Sequence, residues 1–239
     1  MRTLEMGGLR VRIAGGTDRE GGGNGPALIL LHGFGAPGDD LASLWRVLRA
    51  PVGTRFIFPE APLSLASIGF GAGRAWWMID LERMNRRAEG PALLEWMKEV
   101  PDGLAAARER VIAMIDEVET ELRPSALALG GFSQGAMLSC DVALRTKKPL
   151  AGLVMMSGAM IAEPEWAALM PQRRGLPALM SHGRADAILP FAAAERLRDA
   201  LTGAGVDVTW IPFNGGHEIP APAVDGVGNF LERVLRAAP

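Results

Sequence analysis

Cysteine is nearly absent: Cys140 is the only one in 239 residues. One thiol excludes an internal disulfide and leaves the redox compartment almost unconstrained. An excess of either charge is missing too, with 25 basic against 27 acidic side chains. That balance offers no basic surface for nucleic acid and no polybasic membrane anchor. No apolar run approaches a bilayer's thickness; "ALILL" is typical of the longest. The opening "MRTLEMGGLR" lacks the apolar stretch of a secretory signal. The cytoplasm is therefore the expected location. Histidine is scarce as well, and His32, His182 and His217 are too dispersed to show metal-ligand spacing, so neither a metal nor a cofactor is expected.

What remains is rich in apolar residues, 49% of the chain, enough for one domain over residues 1–239 with a full core. "LRVRI", "ALILLHG", "RFIFPEAP", "ALALGG", "GLVMMSG", "PALMSHG" and "VDVTWIPF" read as strands. Between them lie helical patterns, the clearest in "GLAAARERVIAMIDEVETEL", where Leu104, Ala107, Val111, Met114, Ile115, Val118 and Leu122 share one stripe. "DDLASLWRVLRA" also reads as a helix, opened by acidic residues. Residues 64–102 show no clean period. The alternation predicts an α/β layer fold, with a mostly parallel sheet and reactive groups at the carboxyl ends of its strands.

Four short stretches follow predicted strands: "LHG", "GFSQG", "SHGRAD" and "FNGGHE". Gly131-Phe-Ser133-Gln-Gly135 fits G-x-S-x-G, a tight strand-to-helix turn that exposes a serine oxygen. Glycines flank the serine because side chains there would strike the neighbouring strand and helix. A serine hydroxyl needs a base, and His217 lies in a glycine-rich loop free to reach it. Asp186, after the preceding strand, is the candidate orienting acid, against the plainer reading of a helix N-cap. Glu218 adjoins His217 and Asp207 opens the last strand, but a separate loop approaches the far imidazole nitrogen more easily. Oxyanion donors fall on the amides of Gln134 and Phe34. His32 and His182 are expected to bond loop backbone, and Cys140 to be a buried helix residue.

Two readings compete with an enzyme of this kind. "GFGAPG", Gly33 to Gly38, with Glu60 22 residues beyond, imitates a dinucleotide fingerprint. Asp39 and Asp40 would repel pyrophosphate there, and Pro37 removes an amide from the cradle. A non-catalytic binding protein on the same fold is the other.

"LILLHGFGAPGDDLASL", "FIFPEAP", "AWWMID", "LGGFSQGAMLSC", "GLVMMSGAM", "HGRADAILP" and "GGHEI" together resemble the bacterial carboxylesterase and phospholipase-like branch of the α/β-hydrolases, related to acyl-protein thioesterases. The resemblance covers residues 27–236. It implies an α/β-hydrolase fold and a serine carboxylesterase acting on small esters of short to medium acyl chains, with thioesterase, lysophospholipase or acyltransferase chemistry as alternatives. It places the nucleophile on Ser133, the acid on Asp186, the base on His217 and the oxyanion donors on Phe34 and Gln134. Its aromatic substrate wall falls on Trp76 and Trp77, and Ile188 and Leu189 are expected to extend it. Relatives often carry W-[FY]-D where this chain has Trp77-Met-Ile-Asp80. Residues 81–101, with Met84, Leu93, Leu94, Trp96 and Met97, are expected to form a lid or flap. A homodimer is compatible with the resemblance.

Overall fold

The computed structural model describes residues 1–80 and 90–236. Among them, nine strands form one sheet. β1 (Arg2–Met6), β2 (Leu9–Gly16), β5 (Arg55–Pro59), β4 (Ala27–Leu31), β8 (Leu127–Phe132), β9 (Gly152–Met156), β10 (Pro177–Gly183) and β11 (Asp207–Phe213) lie in that spatial order, and β3 (Glu20–Gly22) pairs with β2. From β5 to β11 every pairing is parallel; β2 runs antiparallel to both β1 and β5. A separate two-stranded hairpin joins β6 (Leu63–Ser64) to β7 (Arg74–Ala75). This is the mostly parallel α/β sheet read from the sequence.

Side chains alternate across each strand, so the sheet sorts its core into two layers. Ile29, Leu129, Leu153 and Met180 face one side, covered by α2 (Leu104–Glu117), α3 (Gln134–Arg145) and α5 (Phe191–Gly203). Leu28, Ala128, Val154 and Leu179 face the other, where Val227, Phe230, Leu231 and Val234 of α6 (Ala221–Val234) pack with Leu41 and Ala42. The stripe from Leu104 to Val118 is buried as its spacing demands, and Leu122 is half-buried. Past Glu117 the helix widens into a π turn ending at Leu122, whose carbonyl accepts from the buried guanidinium of Arg55.

Local expectations fail where tertiary packing decides. The segment Asp40–Arg46 is a short 3₁₀ helix rather than an α-helix: it buries only Leu41 and Ala42, and Asp39 makes no side-chain cap. α1 (Gly90–Lys98) lies in the stretch without a clean period, and α4 (Glu163–Leu169) follows β9. Residues 81–89 of the expected flap, Met84 included, lie outside the described residues. Its described part is anchored, since α1 sends Leu93 and Met97 into the core while Leu94 faces solvent.

Candidate active site

Ser133 ends β8 and caps α3 with φ 56° and ψ −119°, in the left-handed half of backbone space that a side chain seldom enters. Such a conformation persists only when its surroundings enforce it. The Ser133 amide donates to Met156 O of the next strand at 2.9 Å, and its carbonyl accepts from Ala136 and Met137. The two glycines make the turn possible. A Cβ on Gly135 would stand 2.0 Å from the Leu31 carbonyl oxygen, and one on Gly131 2.5 Å from the Gly135 backbone. β8, the neighbouring β4 and α3 therefore meet closer than any side chain allows.

The loop after β11 carries His217, whose ring packs against Phe132 at 4.8 Å. Its Nδ1 lies 2.7 Å from Asp186 Oδ2. Asp186 follows β10, and its side chain is fully buried. Oδ1 accepts from the amides of Ile188 and Leu189, both at 2.9 Å. Burial alone would raise this carboxyl's pKa; the His217 hydrogen bond and the Leu189 and Ile188 amides outweigh it and hold the group below the usual carboxylate range. Glu218 instead folds back to accept from the Gly216 amide, and Asp207 is exposed at the far end of β11.

His32 accepts from the Ala61 amide through Nε2 at 3.0 Å, so Nδ1 carries the proton and donates to Gly33 O at 2.8 Å. Burial lowers its pKa and keeps the ring neutral. That fixes the start of the loop bearing Phe34. Among the described residues, neither the Phe34 amide nor the Gln134 amide donates to a protein acceptor. The Gln134 side chain is fully buried; it accepts from the Trp76 amide at 3.0 Å and donates to Trp77 O at 2.8 Å.

Ser133, His217 and Phe34 line one cavity of about 510 Å³ with Trp77, Ile188 and Leu189. Its size suits a small molecule. Trp76, expected beside Trp77, does not line it. Adjacent side chains leaving β7 diverge, and the Trp76 indole is buried behind the wall, donating to His32 O at 2.9 Å. Trp96 and Val100, from the segment expected to form a flap, and Met78, beside Trp77, also line it; residues the sequence reading missed complete the lining, Met137 and Ile161 buried in its depth and Phe70 exposed toward its mouth. Met137 was findable, one helical turn after Ser133. Nothing local marks the others, which arrive from separate segments. Cys140 is fully buried, and burial, followed by the neighbouring Asp141 charge, pushes its thiol far above the usual range, so no thiolate competes with Ser133.

A family model described as phospholipase/carboxylesterase matches residues 20–235. The chain belongs to that family. Accordingly it is a carboxylic ester hydrolase with the α/β-hydrolase fold. It is similar to acyl-protein thioesterase 1 of Gibberella zeae, 27% identical over 87% of this chain and 90% of that protein. A probable carboxylesterase of Oryza sativa subsp. japonica is 29% identical over 88% of this chain and 78% of that protein. The crystal structure of esterase PE8 superposes with a TM-score of 0.78 at 27% identity, covering 95% of this chain and 99% of that one. Among the described residues no helix is long and apolar enough to cross a membrane.

Proposed function

We propose that the protein is a serine carboxylesterase for esters of short to medium acyl chains, working through an acyl-Ser133 intermediate. The observation that carries this reading is the His217–Asp186 contact at 2.7 Å beside a cavity that Ser133 and His217 share. His217 takes the Ser133 proton as Oγ attacks the acyl carbonyl, and passes it to the departing alcohol. Water then attacks the acyl-serine, His217 accepts the water's proton, and Ser133 recovers it as the carboxylic acid leaves. Asp186 holds the imidazole tautomer and stabilises its charged form. The unengaged amides of Phe34 and Gln134 receive the oxyanion. Leu189, Trp77, Met137 and Ile161 supply an apolar chamber for the acyl chain, closed at depth and open toward Phe70, Met78 and Ile188.

A second reading, hydrolysis of thioesters on acylated proteins, draws on the fungal relatives named acyl-protein thioesterase 1. The exposed apolar mouth could seat a peptide beside the leaving sulfur. The test pairs p-nitrophenyl esters of increasing chain length with S-acylated peptides. Ser133→Ala should lose all measurable turnover on every substrate and remain folded by circular dichroism, because one hydroxyl leaves no large cavity. A fluorophosphonate probe should label the parent at Ser133. Near-parent hydrolysis by Ser133→Ala ends the serine mechanism; an unlabelled, inactive parent identifies a binding protein on the same fold.

A further inference from the structure

His182, the penultimate residue of β10, is fully buried and lies beside the acid. Its Nε2 lies 2.8 Å from Leu189 O and 3.3 Å from Asp186 Oδ2. Oδ2 is the same oxygen that His217 Nδ1 approaches at 2.7 Å. Neither a carbonyl nor a carboxylate oxygen can donate, so Nε2 must carry a proton. Nδ1 has no hydrogen-bond partner. A second proton there would put a cation in full burial, and burial outweighs the nearby Asp186 charge and the Leu189 carbonyl to lower the pKa of the ring. The tautomer is therefore neutral, with its hydrogen on Nε2.

From this geometry we infer that His182 is a positioning residue for the acid: it donates its Nε2 hydrogen to Leu189 O and holds that N–H group beside Asp186 Oδ2, with Nε2 3.3 Å away, and so sets how tightly the carboxylate holds His217. The inference rests on the triad reading above. Asp186 Oδ1 already binds the Leu189 amide, so the Leu189 residue is grasped at both its N–H and its C=O. Acid, turn and the cavity-lining Leu189 become one rigid unit. On the carboxylate, three N–H groups donate, two amides on Oδ1 and the His217 imidazole on Oδ2, and the His182 N–H dipole lies beside Oδ2 with its nitrogen 3.3 Å away. A phenyl ring in the same volume would fill the space without an orphan nitrogen, so packing alone does not account for histidine here. The titratable groups facing His182 are Asp186 from its own turn and His217 from the loop after β11. Phe191 covers the ring from α5 at 6.0 Å, and the Gly158 backbone approaches from the end of β9, short of a hydrogen bond.

Removing the donor concentrates negative charge on Oδ2, which then holds the protonated form of the base more strongly. The acid limb of kcat/KM, which reports protonation of the free enzyme's base, should move to higher pH. A role in packing alone gives the opposite sign, because a loosened turn weakens the Asp186–His217 contact and moves the limb down. The experiment is the pH profile of p-nitrophenyl butyrate hydrolysis for the parent, His182→Leu and His182→Gln, with melting temperatures as fold controls. His182→Leu should lose about 2- to 10-fold in kcat, the worth of one neutral hydrogen bond, that to Leu189 O. Its KM should stay near the parent's and its acid limb should rise. His182→Gln, which keeps an N–H near the Nε2 position, should restore both kcat and the limb. Should His182→Leu not fold, His182→Asn, whose shorter amide cannot reach Asp186, must show the same upward limb. An unchanged or lowered limb in a folded donor-free variant, or failure of Gln to rescue, overturns the inference while Ser133→Ala still reads the triad separately. If Ser133→Ala hydrolyses like the parent, both fall.

Discussion

Among the described residues, the carboxylates of Asp141 and Asp186 are fully buried, and they are held in opposite ways. Asp141 on α3 is surrounded by cations: Arg108 reaches Oδ2 at 2.8 Å, Arg145 reaches Oδ1 at 3.1 Å, and Trp166 Nε1 donates at 2.9 Å. Among the described residues no arginine contacts Asp186; two amides and the His217 imidazole hold it, with His182 Nε2 3.3 Å away. Both satisfy the rule that buried charge must be paired or hydrogen-bonded. Asp141 spends its charge on two fixed cations, tying α3 to α2 and α4, with Arg145 also gripping Glu165. Asp186 keeps its charge available to a ring whose protonation can change. One arrangement suits a joint, the other a proton relay.

The comparison breaks most sharply at Asp186 itself. Asp186→Asn keeps the shape but favours the wrong imidazole tautomer, and should cost on the order of 10⁴ in kcat by analogy with the serine-protease triad. Its circular dichroism should match the parent's. Parent-like turnover by this variant, with a large loss in Glu218→Gln, would move the acid to Glu218.

Asp141→Asn should do the reverse. Leaving Arg108 and Arg145 without their shared anion should destabilise the fold by about 3 kcal/mol, the low end for a broken buried pair because both arginines are partly exposed. Denaturant midpoints measure that loss, and kcat per folded molecule should stay within a factor of about two. A large fall in kcat with unchanged stability would erase the distinction between the two carboxylates.

Acid should sharpen it further. His32 and His182 both have folded pKa values below the ordinary 6.5, through burial. A group depressed in this way adds stability that is complete above the unfolded value and is lost as pH falls toward the folded one. Melting temperature should therefore be flat above about pH 7 and decline below about pH 6.5. Asp186, lowered from 3.8, adds its own loss only below that pH. Replacing His32 by Gln should flatten the upper part of the decline; a scan of Tm against pH that shows no change of slope would count against neutral burial. The smallest effect is expected at Glu218→Gln, whose exposed carboxylate bonds only its own loop: kcat within about threefold of the parent.

Much of the site was readable because its parts announce themselves locally. A serine between two glycines, an aspartate in a post-strand turn and a histidine in a glycine-rich loop each carry a short-range signature, and their order along the chain supplies the rest. The cavity walls carry none. Trp76 and Trp77 are indistinguishable as letters, yet only Trp77 faces the cavity, because the Gln134 side chain and His32 carbonyl decide which way each turns. Ile161 reaches the cavity from the segment after β9, a contact that belongs to the folded whole. The seven residues from Asp40 looked helical by spacing, but with two of them buried the packing did not sustain a full α turn.

The Gln134 clamp also bears on how enzymes of this shape can be rebuilt. One residue follows Ser133, opens α3 and grips the main chain of Trp76 and Trp77 with both ends of its amide. The hairpin leading into those tryptophans is bonded on to the loop bearing Phe34, through Gly35 to Arg74 O and Arg74 to Ala36 O. Swapping residues 63–79 for a relative's segment would therefore not exchange a detachable cassette. It would retune the Phe34 and Gln134 amides proposed as oxyanion donors at the same time, so a transplanted pocket should inherit its donor's rate only when its backbone offers Gln134 the same N–H and carbonyl.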